Sequence, residues 1–149
     1  MDLGITTEQR NQAWAHWSSE SKLIVVSQAQ PQRTDKPVGV YCAVGNAWAD
    51  WTSENGIGTG EHRYEVKLSP TARVLRIDPS TWPQVYRLFG CGGNLIPRID
   101  WRAVSEKFDG VYVAVDRSEN QTKTPLFWFQ RMFDVETLCI WNKNSLELQ

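Results

Sequence analysis

The chain has 149 residues, a formal net charge of −1 and 22% charged residues. This balance excludes a protein that binds polyanions through an overall positive charge, and it equally excludes a strongly acidic mimic of nucleic acid. A chain of this length fits one domain with a substantial buried core, so we expect a single domain over residues 1–149.

The composition is unusual in its aromatic residues, which include eight tryptophans. Tryptophan combines a large apolar face with one N–H donor, which suits cores, interfaces and sites for planar ligands alike. The three cysteines are odd in number and widely spaced, which argues against a disulfide framework. No apolar run approaches the roughly 20 residues that cross a bilayer, and the N-terminus lacks the basic and apolar parts of a signal peptide. We therefore expect a cytoplasmic protein.

The N-terminal segment, residues 1–21, is predicted to be helical. Thr6 with Gln9 three residues later is a capping-box pattern. The apolar stripe of this helix would consist of three side chains, Ala13, Trp14 and Trp17. His16 falls on the other side of the helix, so we expect a solvent-exposed histidine there.

Two strands and a helix are predicted to follow. The β-branched run at 23–26, continued by Ser27, is typical of a buried strand and would be the first strand of the sheet. The run VGVYC at 38–42 predicts the next strand, in which Gly39 allows another backbone or a ligand to approach closely. Asn46 would cap a helix with two tryptophans on one face, Trp48 and Trp51. Such a pair belongs either to the core or to the wall of a pocket.

The rest of the chain alternates short strands with short helices. Strands are predicted at 61–68, 74–77, 111–115 and 138–141. One helix has a core-facing stripe at i, i+3, i+4 and i+7, formed by Trp82, Val85, Tyr86 and Phe89. Asp100 would cap another helix, and 143–149 would be a polar tail. His62 has no partner at metal-ligand spacing, so no metal site is expected. Elements in this irregular order predict an α+β fold.

Two carboxylates stand directly before the last predicted strand. In an extended chain Asp134 and Glu136 project to the same face. A dense aromatic run precedes them, made of Phe127, Trp128, Phe129 and Phe133. Paired acids beneath aromatic rings form a site that could bind and stabilise a cation. The alternative is that both acids face solvent where the strand begins. Cys139 nearby is expected to be buried in packing, because no histidine lies close in sequence to activate it.

Four sequence blocks occur in an order that resembles a known family. They are LIVVSQ, PVGVYC followed by NAWADW, IDWRAVSEKFDGVYVAV, and FDVETLCIWN. This order resembles that of the small phage and bacterial proteins with an ADP-ribosyltransferase-like fold, and the resemblance covers residues 22–142. It implies a split, mostly antiparallel sheet that clamps NAD⁺ as substrate, with short helices.

The resemblance also implies roles for individual residues. The catalytic glutamate would be Glu136, and Asp134 would be its companion acid. The residues implied to bind NAD⁺ are Ser27, Gly39, Tyr41, Trp48, Trp51 and Arg131. The family usually has an Arg or a His on the first strand, where this chain has Val25, Val26 and Ser27. Charge for the pyrophosphate would then come from Arg33 or Arg131.

The function implied is an ADP-ribosyltransferase, a glycosyl-transferring enzyme and a candidate phage effector or toxin. Cleavage of the nicotinamide–ribose bond develops positive charge on the sugar, as in glycosidases. A carboxylate stabilises that charge where water is excluded, and a second acid could orient or deprotonate the attacking nucleophile. The acceptor would be a macromolecule, either protein or nucleic acid.

Two other functions stay open at the level of sequence. The excess of aromatic residues also fits a non-catalytic protein-binding inhibitor or interaction module of the phage or toxin–antitoxin type, since Trp and Tyr are typical interface anchors. The same two acids could also serve a hydrolase that uses water as the acceptor.

Overall fold

A computed structural model describes residues 2–18, 36–56, 58, 60, 62–93, 96–115 and 124–148. Seven strands lie in this part of the chain: β1 Trp14–Ser18, β2 Val40–Val44, β3 His62–Leu68, β4 Val74–Ile77, β5 Gly110–Val113, β6 Thr137–Ile140 and β7 Leu146–Leu148. The helices are short: α1 Thr7–Arg10, α2 Ala47–Glu54, α3 Trp82–Phe89, α4 Trp101–Ser105, α5 Pro125–Gln130 and a 3-10 turn at Lys143–Ser145. The predicted α+β class is confirmed.

The seven strands form one curled sheet in the order β4-β5-β6-β2-β1-β3-β7. Only β4 and β5 are parallel, and the other neighbours pair antiparallel. A parallel pair needs a crossover connection, and α3 and α4 lie on the connection between these two strands. The sheet is therefore mostly antiparallel, as predicted.

Hydrophobic clusters cover both faces of the sheet. One face of β4, β5 and β6 packs against α3, α4 and α5, around the large buried side chains of Trp101, Phe129 and Trp141. The other face carries a second cluster, in which Trp14 of β1 meets Tyr112 of β5 edge to face, with ring centroids 6.1 Å apart. Burial on both faces explains why the central strands read as near-continuous apolar runs.

Several local predictions are confirmed. Thr6 and Gln9 form the reciprocal capping box, with Gln9 N–H donating to Thr6 Oγ1 at 3.1 Å and Thr6 N–H donating to Gln9 Oε1 at 3.0 Å. Asp100 caps α4 by accepting from the Ala103 N–H. In α3 the predicted stripe faces the core at Val85 and Phe89. Local sequence signals therefore position these elements correctly.

The predicted N-terminal helix is wrong beyond its first turn. Helix α1 ends at Arg10, and the residues of the supposed apolar stripe at Trp14 and Trp17 belong to strand β1. Strand β1 pairs with β2 on one side and β3 on the other. Spacing of three residues is compatible with a helix, but here the pairing on both sides determines an extended conformation. The predicted strand at 23–26, with Ser27, lies outside the described residues.

The predicted polar tail is also wrong over its described part. Residues Leu146–Leu148 form β7, which pairs with β3 and extends the sheet by one strand. The register places Leu146 opposite Leu68 and Leu148 opposite Val66. The apolar alternation of this short segment is satisfied only by a partner that is distant in sequence.

Two glycines let β6 lie close to its neighbours. A Cβ at Gly39, just before β2, would stand 2.5 Å from the carbonyl oxygen of Ile140. A Cβ at Gly110 in β5 would overlap the Cδ1 atom of the same isoleucine. The described residues contain no helix that is both long and apolar enough to span a membrane.

Candidate active site

The sheet opens between β1 and β2. These strands are paired only at Trp14–Val44 and Ala15–Ala43, whereas the pairing of β1 with β3 continues to Ser18. Beyond the last pair a side chain takes the place of the backbone ladder, since His16 Nδ1 lies 2.6 Å from the Tyr41 carbonyl oxygen. A carbonyl only accepts, so Nδ1 carries the proton and Nε2 is the acceptor nitrogen of the neutral ring.

A cavity of about 460 Å³ lies at this opening. Its size is within the usual range for small-molecule sites. The lining consists of four aromatic residues, two ionisable groups besides His16, and smaller side chains: Ala15, His16, Trp17, Lys36, Tyr41, Cys42, Ala43, Trp48, Phe133, Asp134, Val135 and Thr137. An apolar cavity with a few polar groups is typical of ligand sites.

The space in the cavity follows from small residues at paired positions of the sheet. Ala15 of β1 stands opposite Ala43 of β2, and both are buried. Larger rings flank them, Trp17 on β1, Tyr41 on β2 and Trp48 on α2. The phenol of Tyr41 donates to the carbonyl of Pro37, which fixes the ring at the wall.

The fourth wall comes from the segment between α5 and β6. Buried Gln130, the last residue of α5, donates from Nε2 to the Ala114 carbonyl at 2.7 Å. The chain then turns at Phe133, whose ring is buried and lines the cavity. Asp134 follows directly, so its position depends on the anchored end of α5. The aromatic run that precedes the two acids is thus largely helix α5.

The two acids do not share one environment, and the prediction that they project to one face is wrong. Strand β6 begins only at Thr137, and residues 134–136 form a bend, so the alternation of an extended chain does not apply to them. Asp134 lines the cavity. Glu136 is not among the described lining residues, and its carboxylate accepts a hydrogen bond from the phenol of Tyr112.

Charge at the cavity comes from a lysine that the sequence analysis did not single out. Lys36 Nζ lies 5.6 Å from the ring centroid of Tyr41 and 5.2 Å from that of Phe133. Arg131, which was predicted to bind the pyrophosphate, is exposed and not among the described lining residues. Its guanidinium carbon lies 4.4 Å from the Phe127 ring centroid.

The remaining predicted ligand residues divide into two groups. Tyr41 and Trp48 line the cavity, whereas Gly39 and Trp51 do not. Trp51 stacks on the far ring of Trp48, with centroids 5.3 Å apart and an interplanar angle of 16°, and so supports the wall. Gly39 serves the close approach to β6. Ser27 and Arg33 lie outside the described residues.

The thiols near the cavity are not poised for nucleophilic chemistry. All three cysteines are free, and Cys42 and Cys139 are buried. Burial raises the pKa of the Cys139 thiol to about 12, and burial also raises the pKa of Cys42 far above its ordinary value. A thiolate is the reactive form, so the expected packing role of Cys139 is supported. Within the described ranges no group of three or more His, Cys, Asp or Glu side chains could hold a metal ion.

Sequence analysis missed His16, Trp17 and Lys36. The prediction of a solvent-exposed histidine is wrong, because β1 carries His16 to the opening of the sheet. Reading the segment WAHWS with a period of two instead of a helical period would have placed Trp14 and His16 on one face and Trp17 on the other. No local signal identifies Lys36, because its aromatic neighbours come from distant segments.

Comparison of the chain with protein-family models, with curated proteins and with solved structures found no match.

Proposed function

We propose that this protein binds NAD⁺ in the cavity, cleaves the bond between nicotinamide and ribose, and transfers ADP-ribose to a macromolecular acceptor. The observation that carries the proposal is the arrangement at the opening of the sheet. There one carboxylate, Asp134, and one imidazole, His16, share a cavity with aromatic walls. The finer part of the fold assignment, an ADP-ribosyltransferase-like clamp, belongs to the same proposal.

The aromatic walls suit the nicotinamide ring. Planar rings stack on aromatic side chains and exclude water, and Tyr41 and Trp48 stand on different elements, β2 and α2. The stacked Trp51 behind Trp48 stiffens this wall. A ring held between such walls leaves its ribose to reach the polar groups of the cavity.

The reaction follows from the charges. When the bond from ribose C1′ to the ring nitrogen breaks, the electron pair stays on nitrogen, the ring becomes neutral and the sugar becomes positively charged. The Asp134 carboxylate stabilises this charge in a largely apolar cavity, where electrostatic effects are strong. The acceptor nucleophile then bonds to C1′ and passes its proton to Asp134.

His16 would hold the ribose. Its Nδ1–H is committed to the Tyr41 carbonyl, so Nε2 is available to accept from a sugar hydroxyl. His16 also stands on β1, the first described strand, and the resemblance calls for a His or an Arg on the first strand of the sheet. The orienting hydrogen bond from the neighbouring strand would fix both the tautomer and the ring plane.

The two acids give a direct test of this assignment. We expect Asp134→Asn to lower NAD⁺ turnover about 100-fold or more, because the variant keeps the shape but loses the charge that stabilises the sugar cation. Glu136→Gln, the matched control, should retain most of the turnover, since Glu136 is bonded to Tyr112. The measurement is incubation of each variant with labelled NAD⁺ and a cell lysate, followed by detection of labelled macromolecules and of free nicotinamide.

Each result has a distinct meaning when circular dichroism shows that both variants are folded. Loss of turnover in Glu136→Gln alone would return the catalytic role to the glutamate expected from the resemblance. Nicotinamide released without labelled macromolecules would indicate a hydrolase. Absence of both binding and turnover in the wild type would refute the proposal and favour the non-catalytic interaction module.

A further inference from the structure

Lys36 is the cationic group that lies against the aromatic wall of the cavity. Its ammonium is close to the rings of both Tyr41 and Phe133, and both rings line the cavity. The face of an aromatic ring attracts a cation through the ring quadrupole. At this wall the attraction is already directed to the lysine, so a second cation that stacks there meets both a shared ring and a like charge.

This position matters because the nicotinamide ring changes charge during the reaction. The ring is a pyridinium cation in NAD⁺ and becomes neutral when the bond to ribose breaks. A fixed ammonium beside the ring raises the free energy of the cationic form and leaves the neutral form almost unaffected. Asp134, on the same cavity, attracts the positive charge that appears on the sugar.

We infer that Lys36 is a charge-selecting residue that makes the aromatic end of the cavity bind a neutral pyridine ring in preference to a pyridinium cation. This inference rests on the proposed function, because it assumes that nicotinamide occupies the aromatic end. Its consequence is that Lys36 and Asp134 act together, one disfavouring charge on the leaving ring and the other favouring charge on the ribose.

Two small probes of nearly the same shape isolate the effect of charge. Nicotinamide is neutral, whereas 1-methylnicotinamide carries the permanent positive charge of the ring in NAD⁺. Trp17 and Trp48 line the cavity, so quenching of tryptophan fluorescence reports the binding of either probe. The ratio of the two dissociation constants is the measured quantity.

We expect the wild type to bind nicotinamide about tenfold more tightly than 1-methylnicotinamide, which corresponds to about 1.4 kcal/mol. Lys36→Met keeps the length of the side chain but removes its charge, so the preference should vanish or reverse in favour of the cation. Lys36→Arg keeps the charge and should retain the preference. Lys107→Met removes an equally exposed lysine that is not among the described lining residues, and should leave the ratio unchanged.

The outcomes separate this inference from the proposed function. Binding of both probes with the same ratio in the wild type and in Lys36→Met would overturn the charge-selecting role and leave the nicotinamide site in place. A wild type that prefers the cation would overturn it as well. A wild type that binds neither probe would refute the nicotinamide site itself, and the inference with it.

Discussion

Asp134 and Glu136 are two residues apart, yet they serve different parts of the molecule. The bend before β6 turns Asp134 toward the cavity, while Glu136 accepts a hydrogen bond from the phenol of Tyr112. Burial, and secondly the hydrogen bond to Glu136, raise the pKa of Tyr112 above its ordinary range. The phenol therefore stays protonated as a donor, and the carboxylate gains a lasting structural partner.

Removal of this donor should weaken the fold. Tyr112 is buried in the second hydrophobic cluster, and Tyr112→Phe deletes only the hydroxyl that Glu136 uses. We expect the free energy of unfolding to fall by about 1–3 kcal/mol, the range for a hydrogen bond to a charged group, as measured by urea denaturation. Tyr86→Phe alters an exposed tyrosine and should change little. Equal effects of the two variants would show that the Tyr112–Glu136 bond contributes nothing special.

At the scale of the elements, strand β6 depends on close packing with β2. A methyl group at Gly39 would collide with the Ile140 backbone, which cannot move without disturbing the pairing of Val40 with Ile140. We expect Gly39→Ala to lower the free energy of unfolding by about 1–3 kcal/mol, as for other overpacked sites. The measurement is urea denaturation followed by tryptophan fluorescence.

Gly58 provides the matched control, because a Cβ there would meet no atom within 4 Å and its φ is not in the left-handed region. Gly58→Ala should leave stability unchanged or raise it slightly by restricting the unfolded chain. A Gly39→Ala variant as stable as Gly58→Ala would mean that β2 and β6 separate without cost, contrary to the geometry.

The same elements show what sequence can predict. Helices α3 and α4 follow from local patterns, a periodic stripe in one and the cap at Asp100 in the other. Strand β1 does not, since Trp14 and Trp17 fit either a helix or a strand until β2 and β3 supply hydrogen-bond partners. Strand β7 similarly depends on β3, a partner far away in the chain.

The candidate site is even less local. Sequence identified Asp134, Tyr41 and Trp48 by residue type and by resemblance, and the structure brings these three to one cavity. It did not identify His16 or Lys36, because their neighbours are set by the opening of the sheet and not by the adjacent sequence. Pairing of distant strands decides which polar groups meet, and no periodicity encodes it.

At the scale of the whole molecule, the buried thiols link stability to pH. Cys42 and Cys139 hold their protons in the folded state, whereas an unfolded chain releases them above the ordinary thiol pKa of about 8.5. The unfolded state then binds fewer protons, so the free energy of unfolding should fall with rising pH, by about 1.4 kcal/mol per pH unit for each thiol. Below about pH 8 the two thiols should contribute no pH dependence.

Urea denaturation between pH 7.5 and pH 10, under reducing conditions, measures this slope. Cys139→Ala should lower stability at every pH because it leaves a small cavity, but it should also make the slope less steep. Cys91→Ala removes an exposed thiol and should leave the slope unchanged. Identical slopes in both variants would contradict the assignment of the pH dependence to the buried thiol.

The short pairing of β1 with β2 has one further consequence. Two residue pairs and the His16 hydrogen bond are what the described backbone offers to join the part of the sheet with β4, β5, β6 and β2 to the part with β1, β3 and β7. A molecule in the cavity touches both parts and adds contacts that exist only in the folded state. At 100 times its dissociation constant such a molecule adds about 2.7 kcal/mol. The cohesion of the sheet then follows the supply of its occupant, so that scarcity of the occupant weakens the protein at its seam.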